Sequence, residues 1–357
     1  MEFTLLKKEQ VIGDGALDVM KNKQSLIAAP TDLALVLGVN AGHFRNRVDD
    51  NHFGKWTNEV ACCYWTTSHH DREDSLFDVF GNVNCISNIQ GCVAPYPPNS
   101  RRGAVRPVLS PEEASKIIPS KARAIDRIRE GINRIRVVEY GEYPQTIANK
   151  RTSKKLESLY ESGSLRPTGK DYTFDSVHPE NKESPFKAIS YPEYELDGKR
   201  YIRVLSSLSR YAEEEFLSNG EKVINGREYW VQVEPIKWLV DPKGTMVAQK
   251  SLFAGIQFDT KKKYDGDFSK TFMKHYLDNY FAKEMMPLER TNIRENATDK
   301  TDDAATKRIK EIKMQMLRTI AAENVSPEKG VVNRKRPAAE KQIIRAALDR
   351  ASKGIGK

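Results

Sequence analysis

Most of the side chains that could do chemistry lie in one stretch of the sequence. Residues 56–110 contain all four cysteines, and residues 40–70 contain four of the six histidines. Zinc takes thiolate and imidazole ligands, commonly in a tetrahedron. The possible ligands are Cys62 or Cys63, His69 or His70, Cys85 and Cys92. Their spacing matches neither C-x2-C nor H-x3-H, so we predict no metal site and no cofactor, with zinc as the open alternative.

The same side chains do not form a recognisable catalytic motif. Cys62 and Cys63 are adjacent, and neighbouring side chains of a strand point to opposite faces, so the pair is poorly placed to hold one ion. The chain has no nucleophile elbow and no phosphate-binding glycine loop. We therefore predict no catalytic residues and expect a protein that is not an enzyme.

Asparagine is concentrated in the same region, which favours recognition. Residues 40–103 hold 8 of the 19 asparagines, together with many Tyr, Ser, His and Asp residues. Aromatic anchors mixed with adaptable polar groups are typical of binding surfaces. An ordinary polar loop region is the alternative. The predicted contact residues are Arg45, Arg47, Asn51, His52, Phe53, Trp56, Asn84, Asn88 and Tyr96. Among them, we expect Trp56, Phe53 and Tyr96 to anchor the partner.

Short strands and long loops must position these residues. The segment ACCYWTTS (residues 61–68) predicts a strand, since aromatic and β-branched residues dominate it. Residues 41–55 have no helical or strand period and predict a loop. Residues 103–110, GAVRPVLS, predict a short closing strand. We assign structural roles to Trp65 and Arg106, because a buried arginine needs a carboxylate or several carbonyls as partners.

The rest of the chain alternates helical and strand patterns. Isoleucines at positions 125, 128, 132 and 135 predict an amphipathic helix over residues 120–136, with a basic opposite face. The turn residues Asp197 and Gly198 lie between two alternating segments and predict a hairpin. Residues 267–286 predict a helix whose aromatic stripe belongs to the core.

The charge pattern divides the chain. Residues 1–290 are predicted to form one α+β body, with halves 1–118 and 137–290 joined by the helix at about 120–136. A linker at 291–304 and a basic helical tail at 305–357 follow. From residue 297 onward there are 15 Lys+Arg and 8 Asp+Glu, a net charge of 15 − 8 = +7 out of +9 for the whole chain. Such a tail can contact nucleic acid or remain a solvated helix.

Several classes of protein are disfavoured. No apolar run approaches the roughly 18 residues that span a bilayer, and the N-terminus lacks the apolar core of a signal peptide. The cysteines are few and clustered, unlike a disulfide framework. We therefore expect a cytoplasmic protein with reduced thiols and no membrane partner.

Several short motifs resemble an uncharacterised domain family common in gut bacteria and their mobile elements. They are GEYPQ (141–145), EPIKWLV (234–240), YLDNYF (276–281), WTTS (65–68) and GAVRPVLS (103–110). In that family the YPQ strand comes first and the RP strand last, so the order of the motifs is permuted in this chain.

The segments FDVFGNV (77–83) and VRPV (105–108) are also similar to the end of C-type-lectin-like domains of the formylglycine-generating-enzyme type. The resemblance implies a compact, irregular α+β body with a binding face built from loops. The cysteine spacing with which the enzyme branch of that fold binds copper is absent.

Two functions remain. The first is a non-catalytic binding or display protein of a phage or mobile element, which recognises a protein or glycan through residues 40–103. The composition of its asparagine-rich region resembles that of the variable regions that diversity-generating retroelements mutate in proteins with lectin-like scaffolds. The alternative is a nucleic-acid-associated accessory protein that acts through the basic helix 120–136 and the tail.

Overall fold

The computed structural model describes residues 1–21, 23–47, 53–69, 83–87, 92–117, 123–130, 133–208 and 216–287. Residues Met1–Glu289 form one compact unit. The predicted linker at 291–304 and the basic tail at 305–357 lie outside the described residues. No helix in the described ranges is long and apolar enough to cross a bilayer.

Strands dominate the described chain. They are β1 (Phe3–Thr4), β2 (Ala41–Arg47), β3 (Phe53–His69), β4 (Val83–Ser87), β5 (Cys92–Tyr96), β6 (Val108–Leu109), β7 (Arg123–Glu130), β8 (Asn133–Ile147), β9 (Pro167–Asp175), β10 (Ala188–Leu196), β11 (Lys199–Leu205), β12 (Glu228–Val240) and β13 (Met246–Ala248). The helices are α1 (Lys8–Val11), α2 (Lys23–Ile27), α3 (Asp32–Val36), α4 (Pro111–Ser115), α5 (Lys150–Glu161), α6 (Phe272–Tyr276) and α7 (Ala282–Glu284). A π-helical turn, Leu277–Phe281, joins α6 to α7, and 3-10 turns lie at Asp18–Lys21 and Phe268–Lys270.

The strands form two antiparallel sheets. The larger has the order β1-β6-β13-β12-β11-β10-β9, and β8 pairs with the other edge of β12 and with β7. The smaller has the order β2-β3-β4-β5. β12 is the centre of the larger sheet, since β11 pairs with its first half, β13 with its second half and β8 with both. The predicted mixture of helices and sheet, an α+β fold, is confirmed.

The predicted hairpin turn at Asp197 and Gly198 is confirmed, and a glycine follows the end of α5. Asp197 and Gly198 both have positive φ, 53° and 74°, as a tight hairpin turn between β10 and β11 requires. Helix α5 ends before Gly163, whose φ of 71° allows the left-handed conformation that commonly follows a helix.

The predicted helix at 120–136 is wrong, because the segment is part of a hairpin. β7 pairs with β8 from Arg123 opposite Glu139 to Glu130 opposite Asn133. Isoleucine is β-branched and favours strands, and the same spacing that suggests a helical stripe places Ile128 directly opposite Ile135. The strand β8 is already fixed along β12, so it offers β7 a ready edge of backbone donors and acceptors.

Residues 41–47 are a strand and not the predicted loop. Their pairing partner, β3, runs for 17 residues, far beyond the predicted ACCYWTTS segment. β5 also includes a proline, Pro95, which is tolerated because β5 lies at the edge of its sheet.

The core of this unit draws on segments from across the sequence. Trp65 and Tyr64 from β3, Trp238 from β12 and Phe253 are all fully buried in one apolar cluster. Phe281 from the C-terminal helix contacts Phe3 edge-on, with ring centroids 5.0 Å apart. The aromatic stripe of that helix is core, as predicted.

Candidate functional site

Two β-hairpins, which we call arms, extend from the body. In the first arm, residues 53–60 of β3 pair with β2, and within the described chain no strand pairs with their other edge, because β4 joins only from Cys63. In the second arm, β7 pairs with residues 133–139 of β8, of which residues 136–139 also pair with β12. At about 3.3 Å per residue, the first arm extends roughly 23 Å beyond Val60, and the second extends roughly 10 Å beyond Arg136, the last residue paired with β12.

A cleft of about 750 Å³ lies where the two arms meet the body. Val60 from the base of the first arm and Glu139 from the base of the second arm both line it. The remaining lining residues are Ile27, Ala29, Gln145, Thr146, Glu234, Pro235, Lys237, Gln249, Lys250 and Leu252. Its volume lies within the range of small-molecule and peptide side-chain sites.

Irregular pairing between β8 and β12 shapes the cleft. The register shifts between Gln232 and Val233 and again between Pro235 and Lys237. Gln145 Nε2 donates to the backbone carbonyls of Glu234 and Pro235, at 3.0 and 3.1 Å. These side-chain bonds replace ladder bonds that the bulges interrupt, and they hold the polar wall in place.

The wall presents charges of both signs. The carboxylate of Glu234 accepts hydrogen bonds from Thr146 Oγ1 at 2.5 Å and from Gln232 Nε2 at 3.3 Å. Lys237 and Lys250 are exposed at its side. Among the lining residues that the structure describes there is no Cys, His or Ser.

The arms bring together some of the predicted contact residues. The β2–β3 register places Arg45 opposite Trp56 and Arg47 opposite Phe53. Positions directly opposite one another in an antiparallel pair lie on the same face of the hairpin. The first arm therefore collects these four positions at one end of the hairpin.

The other predicted contacts lie elsewhere or outside the described chain. In the β4–β5 pair, Asn84 is opposite Pro95, and β4 pairs with β3 only from Cys63 onward. Seven residues of extended strand, about 23 Å, separate Trp56 from Cys63. Asn51, His52 and Asn88 lie outside the described residues.

Tyr96 is half-buried in the body. Its hydroxyl accepts a hydrogen bond from Asn40 Nδ2 at 2.9 Å and lies 3.4 Å from Cys63 Sγ. Its ring meets Trp65 edge-on at 6.1 Å. These contacts place Tyr96 in a packed environment away from the end of the first arm.

The cysteines and histidines whose side chains the structure describes do not lie together at one site. Cys62 and Cys63 are both buried, and burial raises the pKa of the Cys62 thiol to about 12. Cys62 Sγ contacts the carbonyl of Ala28 at 3.8 Å, while the ring of His69 packs against Tyr264. Among the described residues, no group of three His, Cys, Asp or Glu side chains could hold a metal ion.

Arg101 and Arg106 are the two buried arginines of the described chain, and their surroundings differ. Arg106 is buried, but Nε donates to the carbonyl of Ala248 at 2.8 Å and the described chain places no carboxylate against it. Its guanidinium lies over the ring of Tyr64, 5.5 Å from the centroid, and burial lowers its pKa. The carboxylate-paired buried arginine is Arg101 instead, whose Nε donates to Asp175 at 2.8 Å.

Sequence reasoning also missed a buried acid, Glu284. Its Oε1 accepts a hydrogen bond from the Thr173 amide at 2.9 Å, whereas its buried Oε2 has no partner among the described residues. Burial raises the pKa of Glu284 to about 7. The carboxyl group is therefore protonated in mildly acidic solution, although the sequence gives no signal for it.

Glu284 should make stability depend on pH. Between the unfolded pKa of 4.5 and the folded value of about 7, the folded state keeps a proton that the unfolded state loses. The free energy of unfolding therefore falls as pH rises, by about 3 kcal/mol in total between pH 4 and pH 8. Glu284→Gln should match the parent protein at pH 4.5 and be more stable at pH 8. Urea denaturation at both pH values measures this, and parallel pH profiles for the two proteins would contradict it.

Comparisons with known proteins were made for the whole chain. No family model matches it, and neither a curated protein nor a solved structure shows significant similarity to it.

Proposed function

We propose that the chain is a non-catalytic binding protein on a C-type-lectin-like body, and that it holds a protein or glycan partner at the first arm and the adjoining cleft. The observation that carries this proposal is the pairing of Arg45 with Trp56 and of Arg47 with Phe53 at the end of that arm. Aromatic and arginine residues dominate the energetics of binding interfaces. The cleft at the base adds apolar surface from Ile27 and Leu252 beside polar groups.

The asparagine-rich composition supports a more specific origin. We propose that residues 40–103 are a variable region of the kind that retroelements diversify in phages and mobile elements, which leaves the scaffold unchanged. The neighbouring genes test this directly. A reverse transcriptase and a near-copy of the region beside the gene are expected, and unrelated neighbours would count against it.

Site-specific photo-crosslinking tests the binding surface. Benzoylphenylalanine at position 53 and at position 56 should crosslink the same protein from a bacterial lysate or, for a glycan partner, the same member of a panel of immobilised glycans. The matched control is Phe216, an aromatic residue that is 57% exposed on another segment. Capture at positions 53 and 56 but not at 216 is expected. Equal capture at all three positions, or capture at none, would refute the first arm as the recognition surface.

A further inference from the structure

In the second arm, the arginine positions and the acidic positions lie on opposite faces of the hairpin. Arg127 lies opposite Arg136, and Arg129 lies opposite Arg134. Residues opposite one another share a face of a hairpin, and so do residues two apart along a strand. The four arginine positions therefore lie on one face.

The other face of the arm carries the remaining positions. It holds the acidic positions Asp126 and Glu130, together with Ile128 and Ile135. Ile135 is buried, whereas Arg136 is exposed. The face with the arginines is thus the one turned away from the core at this point of β8.

This arrangement opposes the stability of the arm. Like charges directly across two strands destabilise the pair, and here two successive pairs are both arginine. Asp126 and Arg129 are three residues apart, and Glu130 and Arg134 are four apart. In the predicted helix, each of these oppositely charged pairs would lie side by side on the surface and stabilise the helix. The register of the hairpin instead places the acidic positions on the face opposite the arginines, where an external anion would balance the charge of the arginine face.

The composition of the face indicates what kind of anion. Interfaces with proteins are enriched in aromatic anchors, whereas the positions of this face that the structure describes between residues 127 and 136 are all arginine. Closely spaced arginine positions suit a repeating series of phosphates, which arginine binds through two parallel hydrogen bonds. A two-stranded ribbon also has the width that the major groove of duplex DNA admits, about 12 Å.

We propose that the arginine face of the second arm binds the phosphate backbone of double-stranded nucleic acid without reading its sequence. Arg127, Arg129, Arg134 and Arg136 each contact a phosphate. This activity belongs to a different arm from the recognition surface proposed above and does not depend on it.

The salt dependence of binding to a random-sequence 20-base-pair duplex DNA tests the proposal. Each phosphate contact adds about 0.9 to the slope of log K against log salt concentration. In the full chain, the variant R127Q/R129Q/R134Q/R136Q should therefore show a slope shallower by about 3.6. Between 50 and 200 mM KCl the parent protein should lose on the order of 100-fold more affinity than this variant. Fluorescence anisotropy of the labelled duplex gives both quantities.

Three further variants separate charge from structure. Four exposed lysines elsewhere provide a charge-matched control, K154Q/K261Q/K262Q/K263Q, which should retain the parent slope. Replacing the four arginines with lysine should also retain it, because the number of charges is unchanged. Either cross-strand pair alone, R127Q/R136Q or R129Q/R134Q, should reduce the slope by about 1.8, which keeps the test available if the fourfold variant fails to fold.

The glutamine variants should melt at the same temperature as the parent protein or higher, since cross-strand repulsion is removed. Equal slopes for the parent protein and the pair variants would overturn the proposal, as would an equal loss in the lysine control. A polyglutamate peptide that competes as well as DNA at equal charge would assign the face to an acidic protein instead. None of these results bears on photo-crosslinking at positions 53 and 56, so the two proposals can fail separately.

Discussion

Replacing Arg101 with leucine is expected to lower the free energy of unfolding by about 3–5 kcal/mol, because it leaves a buried carboxylate without its counter-charge. Both side chains of the Arg101–Asp175 pair are fully buried. The guanidinium also donates to the carbonyls of Asn181 and Ser184, which would lose their partner. Urea denaturation of the variant and the parent protein measures the difference.

The matched control is Arg106, five residues along the chain. Arg106→Met removes a buried charge that has no described carboxylate partner and gives up one good hydrogen bond, to Ala248. Replacing a buried charge with an apolar side chain of similar length is often neutral. We expect a loss below about 1.5 kcal/mol, close to one net hydrogen bond. If Arg106→Met proves costlier than Arg101→Leu, the assignment of the buried ion pair is wrong.

Gly103→Ala is expected to destabilise the protein by about 3 kcal/mol, at the upper end for overpacking a core. A Cβ at this position would lie 2.4, 2.5 and 2.8 Å from three atoms of the Trp65 indole. Trp65 is fully buried against Phe258, with ring centroids 5.4 Å apart, so the indole has little freedom to move away. Thermal and urea unfolding of the variant provide the measurement.

A double-mutant cycle with Trp65→Phe isolates that contact. The smaller ring makes room for the new methyl group, so Gly103→Ala should cost less in the Trp65→Phe background than in the parent protein. Sites in direct contact show such non-additivity. Strictly additive costs would mean that the backbone around Gly103, and not the indole, limits the substitution.

Local signals predicted a good part of the fold. The turn residues Asp197 and Gly198 are enough to predict their hairpin. The spacing of the aromatic residues around Tyr276 is enough to predict a helix with one buried face. Each of these elements is decided by residues close to one another in sequence, which is why the sequence alone identifies them.

Long-range pairing explains why the predicted helix at 120–136 and the predicted loop at 41–55 were wrong. The isoleucines of residues 125–135 fit a helix and a strand equally well, and the decision rests on β8, which is itself held by β12. Asp32 is a second example. An aspartate at the start of a helix often caps it, but here Thr31 accepts the capping hydrogen bond from the Ala34 amide. Asp32 instead accepts from the amides of Ile147 and Ser218, which are far away in sequence.

The candidate site was predicted only in part. The pairing of β2 with β3 unites Arg45, Arg47, Phe53 and Trp56 at one end of the first arm. The length of β3 separates Asn84 from this group, and no feature of the sequence shows that β3 continues so far. The polar wall of the cleft, Gln145 with Glu234, depends on register shifts between β8 and β12, which residue types alone do not specify.

The body carries two hairpin arms beside one cleft, and the pairing of β7 with β8 in the second arm is the part of this architecture that a distance measurement tests most directly. Spin labels attached to p-acetylphenylalanine at positions 123 and 139 test it by electron paramagnetic resonance. In the hairpin these two positions are paired, which puts their Cα atoms about 5 Å apart and should give strong dipolar broadening. A helix over residues 120–136 would separate them by about 20 Å or more, at 1.5 Å per residue. Broadened spectra would support the arm, and narrow spectra with a distance near 20 Å would contradict it.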